Sequence, residues 1–247
     1  MAGMDYSFVR DRLELIRANI EAAASRSGRS ASEIELLAVS KFHPIEAVKA
    51  AWEAGIRSFG ESRVQEAEGK FPPFASAHPG LHLDMIGHLQ SNKAKKAVDL
   101  FDRIESVDSG SLLLELDERA RKAALRREVL LELHTGEESK EGFSSADELY
   151  SALELLLSRP DRALEIRGLM TMAPNTQDEA AVRASFYSLR SAFEGASSRF
   201  GLKRAHGGFC VLSMGMSGDY ELAVEEGSTL LRIGTAIFGE RQLGVVP

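Results

Sequence analysis

Two adjoining stretches decide the fold: Glu35-Leu36-Leu37-Ala38-Val39-Ser40-Lys41 and, a few residues on, Ile45–Glu53. The first is a short apolar run that ends in polar groups, as expected of a strand buried on both faces of a parallel sheet. The second is an amphipathic segment long enough to serve as the crossover that a parallel neighbour requires. The same alternation recurs outward from this unit. Candidate strands fall at Glu35–Lys41, Ile56–Gly60, His82–Gly87, Phe101–Val107, Glu128–His134, Glu165–Thr171, Gly208–Ser213 and Thr229–Gly234. Ser91–Val98, Leu112–Ala124, Ala146–Ser158 and Glu179–Phe200 supply further helices, with Ser145 and Glu148 forming a capping box at the start of one. Phe71–Gly80 and Thr135–Gly142 read as the longest loops, and neither has the character of a domain linker. Eight such units in 247 residues favour a closed (β/α)8 TIM barrel over an open doubly wound sheet, with residues 1–247 as one domain. Ahead of the barrel, Val9, Leu13, Ile16 and Ile20 predict an N-terminal helix closed by Gly28.

Composition narrows the function. A formal net charge of -7 argues against a nucleic-acid partner, because backbone phosphates would be repelled. The densest basic run, Arg119 to Arg127, follows Asp117 and Glu118 and reads as a solvated helix face. No apolar run approaches the roughly 18 residues of a membrane helix, and no signal-peptide core opens the chain. The one cysteine, Cys210, lies in Gly208-Phe209-Cys210-Val211-Leu212, as expected of a packed thiol in a reducing cytoplasm.

Barrels gather function at the carboxyl ends of their strands. There the polar residues line up: Ser40-Lys41, Gly60-Glu61, Gly87-His88, Ser106 with Asp108, His134, Thr171, Ser213, and Arg232 with Gly234. Lys41 follows four apolar residues, so its stem leaves a buried strand at the barrel mouth. By position alone it fits either an ordinary strand-end lysine or an amine that forms Schiff bases with carbonyls. Leu212-Ser213-Met214-Gly215-Met216-Ser217-Gly218 is a glycine- and serine-rich turn into a helix, suited to a phosphate but also to a merely tight connection. Arg232-Ile233-Gly234-Thr235 ends the eighth strand, beside the first in a closed ring. An amine on strand one next to an anion cradle on strands seven and eight suits a phosphorylated aldehyde.

These motifs, with Phe59-Gly60-Glu61, Val64-Gln65-Glu66, Ile86–Lys93, Gly136–Gly142, Arg167–Thr171 and Arg232–Gly239, run through nearly the whole chain. The chain resembles the pyridoxal phosphate homeostasis protein family. The resemblance implies a monomeric barrel similar to the alanine racemase N-terminal domain, with pyridoxal 5′-phosphate (PLP) linked as a Schiff base to Lys41. It further implies that Ser213, Gly234 and Thr235 hold the phosphate and that Arg232 faces the pyridine nitrogen. Met214 and Ser217, from the same turn, complete the expected cofactor site. Members of the family look like PLP carriers that serve apo PLP-dependent enzymes, rather than catalysts. Racemases with this barrel take a second base from an additional domain, for which a chain ending at Pro247 is expected to leave no room. A racemase-like enzyme and a cofactor-free Schiff-base aldolase are the alternatives. Where the family reads Gly-Glu-Asn-Tyr-Val-Gln-Glu, this chain has Gly60-Glu61-Ser62-Arg63-Val64-Gln65-Glu66, which replaces two side chains at the rim and adds a positive charge.

The histidines His78, His82 and His88 have no regular ligand spacing, so no metal is expected. His134 fits a pocket wall or a packed core equally well. Met170, Met172, Met214 and Met216 are expected to pack around ring and core, and Glu137–Glu141 to form a solvated loop.

Overall fold

The computed structural model describes residues 5–136, 142–203 and 207–240. Helix α1 (Phe8–Arg26) buries Val9, Leu13, Ile16 and Ile20 along one side, and Gly28 follows it at a φ of 69°. Eight strands come next: β1 (Glu35–Val39), β2 (Ser58–Glu61), β3 (His82–Met85), β4 (Arg103–Val107), β5 (Arg127–Glu132), β6 (Leu164–Met170), β7 (Val211–Ser213) and β8 (Leu230–Ile233). All pair in parallel and close in chain order, with Glu35 of β1 opposite Leu230 of β8. Helices α2 (Ile45–Glu53), α3 (Val64–Ala77), α4 (Ala94–Leu100), α5 (Gly110–Lys122), α6 (Ala146–Leu157), α7 (Glu179–Phe200) and α8 (Tyr220–Glu225) form the crossovers, and α9 (Thr235–Phe238) follows β8. The fold is a (β/α)8 barrel with an added amino-terminal helix.

Each expected strand is present, several of them shorter than expected at the carboxyl end. Ser40-Lys41 and Gly87-His88 leave the sheet, because there the backbone turns to bring polar side chains to the mouth. The expected loop Phe71–Gly80 is mostly helix, since α3 runs through Pro72 and Pro73 to Ala77. Each proline removes one helical N–H bond. Both prolines face solvent, while Phe71 and Phe74, three apart, are buried and anchor the turn. At α6 only half of the capping box forms: Ser145 accepts from the Glu148 N–H, whereas the Glu148 carboxylate bonds to Ser144. Of the basic run only Arg119, Arg121 and Lys122 form a solvated face on α5, with Arg119 on Glu115 and Arg121 on Glu118, whereas Arg127 opens β5 and bonds the Val98 carbonyl. No helix among the described residues is long and apolar enough to cross a membrane.

The barrel separates two apolar regions. Outside the strands, Phe59, Phe101, Ile104, Leu113 and Phe186 pack against the helices. Inside, Leu37, Val39, Leu130, Met170, Val211 and Leu230 fill the lumen, with Cys210 packed against them. Asp84, Arg103, Glu105, Ser213 and Arg232 are buried as well. Helix α1 braces the segments after β7 and β8: Asn19 bonds Tyr220, and Arg12 bonds the Ile237 carbonyl.

Candidate functional site

Lys41 stands in a turn held from several directions. Phe42, next to it, has a φ of 65°, a left-handed conformation that costs a non-glycine residue roughly 1 kcal/mol or more. Its N–H donates to Glu66 at 2.6 Å. Lys70, on α3 and almost wholly buried, donates to the carbonyls of Ser40 (2.9 Å) and His43 (3.0 Å) and pairs with Glu61 (2.6 Å) and Glu66 (3.1 Å). Ser40 also donates to Glu61 at 2.6 Å. Burial holds the Glu61 carboxyl above its ordinary range, with Lys70 and Ser40 pulling the other way. The His43 ring lies 5.0 Å from that of Phe238, tying the turn to α9.

On the other side of the mouth, the β7–α8 connection turns at Gly215, where φ is 98° and a Cβ would come within 2.5 Å of Ala223. The Met216 N–H bonds Asp219 at 2.5 Å, closing the turn, and the Ala236 N–H bonds the Ser217 hydroxyl at 3.1 Å. That last bond fastens the loop after β7 to the start of α9. At Gly234 a Cβ would sit 3.2 Å from the Val39 carbonyl oxygen, so the absence of a side chain lets β8 approach β1.

Between these walls lies a cavity of about 240 Å³ lined by Lys41, Ser217, Gly218, Arg232, Gly234 and Thr235, with Val39, His43, Ile86, Met172 and Met216 also on the wall. Lys41, Ser217, Arg232, Gly234 and Thr235 therefore meet as expected from the chain. Ser213 and Met214 lie off the wall. Two residues beyond Val211, Ser213 points into the lumen, wholly buried; Met214, one further, is buried in the layer against the helices. Strand alternation sends the two in opposite directions, Ser213 to the lumen beneath the cavity, where it meets Arg232, and Met214 away from it.

Below the cavity, Arg232 is gripped by the lumen. Its Nη1 donates to Ser213 Oγ at 2.5 Å and its Nη2 to the Thr171 carbonyl at 2.7 Å. The Ser213 hydroxyl in turn makes a short bond to Glu105 Oε2, which lies 3.9 Å from Arg232 Nη1. Deeper still, Arg103 bonds Asp84 through Nε (2.8 Å) and Nη2 (2.6 Å) and also reaches Glu35 (3.3 Å). Burial pushes the Glu105 carboxyl up to about 8, and the neighbouring Asp84 carboxylate adds to the rise. Burial also opposes charge on Asp84, but Arg103 and His82 outweigh it and keep that carboxyl below its ordinary range. The proton of the pair thus resides on Glu105. Nothing in Arg103-Ile104-Glu105-Ser106-Val107 marked Glu105 beforehand, since the strand also carries an arginine and a serine.

The other strand-end groups take supporting places. Thr171 donates to the Leu133 carbonyl, and Ser106 to that of Gly87. His88 pairs with Asp108 at 3.0 Å beside a separate groove lined by Ser62, Arg63, Gln65, Gln90 and Lys93. Arg63, where the resemblance predicts a tyrosine, covers the Phe42 ring at 5.2 Å. His134 lies half-buried, away from the cavity. Among the described residues no group of three His, Cys, Asp or Glu side chains could hold a metal. Glu137–Glu141 lie outside the described residues.

The geometry is that of a cofactor barrel of the alanine racemase type, and residues 12–242 match the family described as alanine racemase, N-terminal domain. A pyridoxal phosphate homeostasis protein of Vibrio cholerae is 41% identical over 236 residues, covering 94% of this chain and 96% of its own. The solved structure of PipY from Synechococcus elongatus with PLP bound is 36% identical with a TM-score of 0.75, covering 90% of this chain and all of that one. A protein of unknown function from Bifidobacterium adolescentis superposes with a TM-score of 0.87 at 33% identity, covering 96% of this chain and 98% of its own. The chain belongs to the pyridoxal phosphate homeostasis protein family.

Proposed function

We propose that this protein binds PLP in the cavity between Lys41 and the β7 and β8 loops, holds it covalently on the Lys41 amine, and serves intracellular PLP homeostasis by storing and delivering it. One observation carries the reading: a single small cavity presents an amine at one side and Arg232, Ser217, Gly234 and Thr235 at the other. The residues fit the group. Ser217 and Thr235 offer hydroxyl donors, and the glycines 218 and 234 offer close backbone approach for the phosphate. Val39, Ile86 and Met172 offer apolar faces to a flat ring. Arg232, always protonated, donates toward the pyridine nitrogen and disfavours a proton there. The Ser213 hydroxyl, engaged by Glu105 and Arg232, holds the arginine rather than the phosphate.

PLP supplies an aldehyde that condenses with amines and a ring that draws electrons from the bond it forms. An arginine against the ring nitrogen weakens that draw, which favours a carrier over a racemase. The names of the relatives support the same role. The working form proposed is a cytoplasmic monomer, one barrel domain over residues 1–247, that passes PLP to apo-enzymes.

The test is to treat the PLP-loaded protein with borohydride and map the label. The expected result is pyridoxyl on Lys41 and a loss of visible absorbance in Lys41→Ala. Label mainly on Lys93 or Lys140 would overturn the assignment. Robust racemisation of alanine or serine, lost in Lys41→Ala, would overturn the carrier reading.

A further inference from the structure

We propose that Glu105, acting through Ser213 and Arg232, is a positioning residue that sets how much of the Arg232 positive charge the cofactor cavity feels, and thereby makes cofactor affinity depend on pH. The inference rests on the reading that the cavity takes PLP.

Arg232 belongs both to the cavity wall and to the buried lumen, and it is fixed in the lumen by two donated bonds. Glu105 is the acid at the far end of one of them, wholly buried and 3.9 Å from the guanidinium. Charges in the lumen divide unevenly. Arg103, on the same strand as Glu105, spends two bonds on Asp84 of β3, itself paired to His82 at 2.9 Å. Arg103 also lies 3.3 Å from Glu35 of β1 and 4.0 Å from both Glu128 of β5 and Glu105. The charged and titratable groups around Glu105 are therefore Asp84, Arg103 and Arg232, with the Ser213 hydroxyl donating from β7. Arg103 and Arg232 stand at similar distances from Glu105 and both feel its charge. Arg103 has Asp84 and Glu35 as further acids, whereas Arg232 is joined to Glu105 through Ser213 and carries the change to the cavity wall.

With the proton on Glu105, Arg232 loses that countercharge, the Asp219 carboxyl is left as its acidic neighbour, and more of its field reaches the cavity. With the proton gone, a carboxylate one hydroxyl away compensates the guanidinium, and an anionic ligand is held less well. Burial of the pair in a low-dielectric lumen makes the difference large enough to measure. The Arg232–Ser213–Glu105 chain thus couples the cavity to a proton that no ligand touches.

The probe is pyridoxine 5′-phosphate, which has no aldehyde and is blind to the Lys41 amine. Its affinity is measured from pH 6.5 to 9.5 in the wild type and in Glu105→Gln, whose amide mimics the protonated acid. The ratio of the two affinities at each pH cancels the titrations of the ligand itself. The two proteins should bind equally at the acid end, and the wild type should become weaker by on the order of tenfold at the alkaline end. A ratio that stays constant across the range overturns this inference alone. Failure of the probe to bind either protein overturns the cofactor reading and this inference with it. The wild type gives a second measurement that needs no variant. Binding and proton affinity are reciprocal, so the probe should move the infrared titration of the buried Glu105 carboxyl to higher pH. An unmoved midpoint overturns the coupling.

Discussion

At the scale of single residues, the division between cavity wall and lumen separates two serines that look alike in the chain. Ser217 lines the cavity and is tied to α9, while Ser213 sits between Arg232 and Glu105. Ser217→Ala is expected to remove one donor to a charged acceptor, worth roughly 1.5–3 kcal/mol, or about ten- to hundredfold in PLP affinity. Pyridoxal, lacking the phosphate, should barely register the change. Ser213→Ala loosens Arg232, so it should weaken both ligands to a similar degree. Competition binding with the two ligands checks this, and a phosphate-selective loss in Ser213→Ala would reverse the assignment. Lys41, Arg232 and Gly234 were legible because strand ends in a barrel converge on one mouth. The place of Ser213, beneath the cavity wall on Arg232, was not legible, because strand alternation decides which way its hydroxyl points and a glycine-rich turn hides that register. Glu105 was not legible because its role depends on partners that three other strands, β3, β7 and β8, bring into the lumen.

At the scale of elements, the eight strands were visible as apolar runs, whereas α3 was obscured by its two prolines. That helix proves to matter for the site. It carries Glu66 and Lys70, which hold the strained turn of Lys41 from behind. Sequence patterns report which residues are apolar; they do not report that an amine in the second turn of α3 reaches the carbonyls of the loop after β1. Lys70→Met would leave Glu61 charged in a buried site without its partner. The expected cost is about 3–5 kcal/mol, typical of breaking one side of a buried pair. Glu61→Gln combined with Lys70→Met removes the stranded charge and should recover part of that loss. Urea unfolding midpoints of the three proteins decide it. If the double variant were no more stable than Lys70→Met alone, the pairing of Glu61 with Lys70 would not be what supports the turn. In either variant the Lys41 amine should react more slowly with PLP, since Phe42 loses part of the framework that holds its left-handed backbone.

For the molecule as a whole, the lumen that positions Arg232 is also a burden on folding. An apolar filling would be expected in a barrel interior, yet Asp84, Arg103, Glu105 and Arg232 are all buried there. The pH dependence follows from where the protons sit. Unfolded, Glu105 ionises near its ordinary 4.5; folded, burial keeps it protonated up to about 8. A group whose folded value is raised contributes stability fully below its unfolded value and loses it as pH climbs through the folded one. The wild type should therefore lose stability between about pH 4.5 and 8, by at most ~1.4 kcal/mol per pH unit, and level off above. Asp84, held low by Arg103, has the opposite sign: its contribution is present above the ordinary carboxylate range and is lost in acid. Its loss thus falls on the acid side of the window in which Glu105 acts. Glu61 and His82, both raised, also tilt the profile, but they are common to wild type and variant and cancel in the comparison. Glu105→Gln keeps the shape and the hydrogen bonds of the protonated acid and cannot ionise. Cofactor-free wild type and variant should unfold at similar urea concentrations near pH 5. By pH 8 the variant should be the more stable by on the order of a few kcal/mol. Parallel profiles from pH 5 to 8 would mean that the proton is not on Glu105, and the charge assignment of the lumen would have to be redrawn around Asp84.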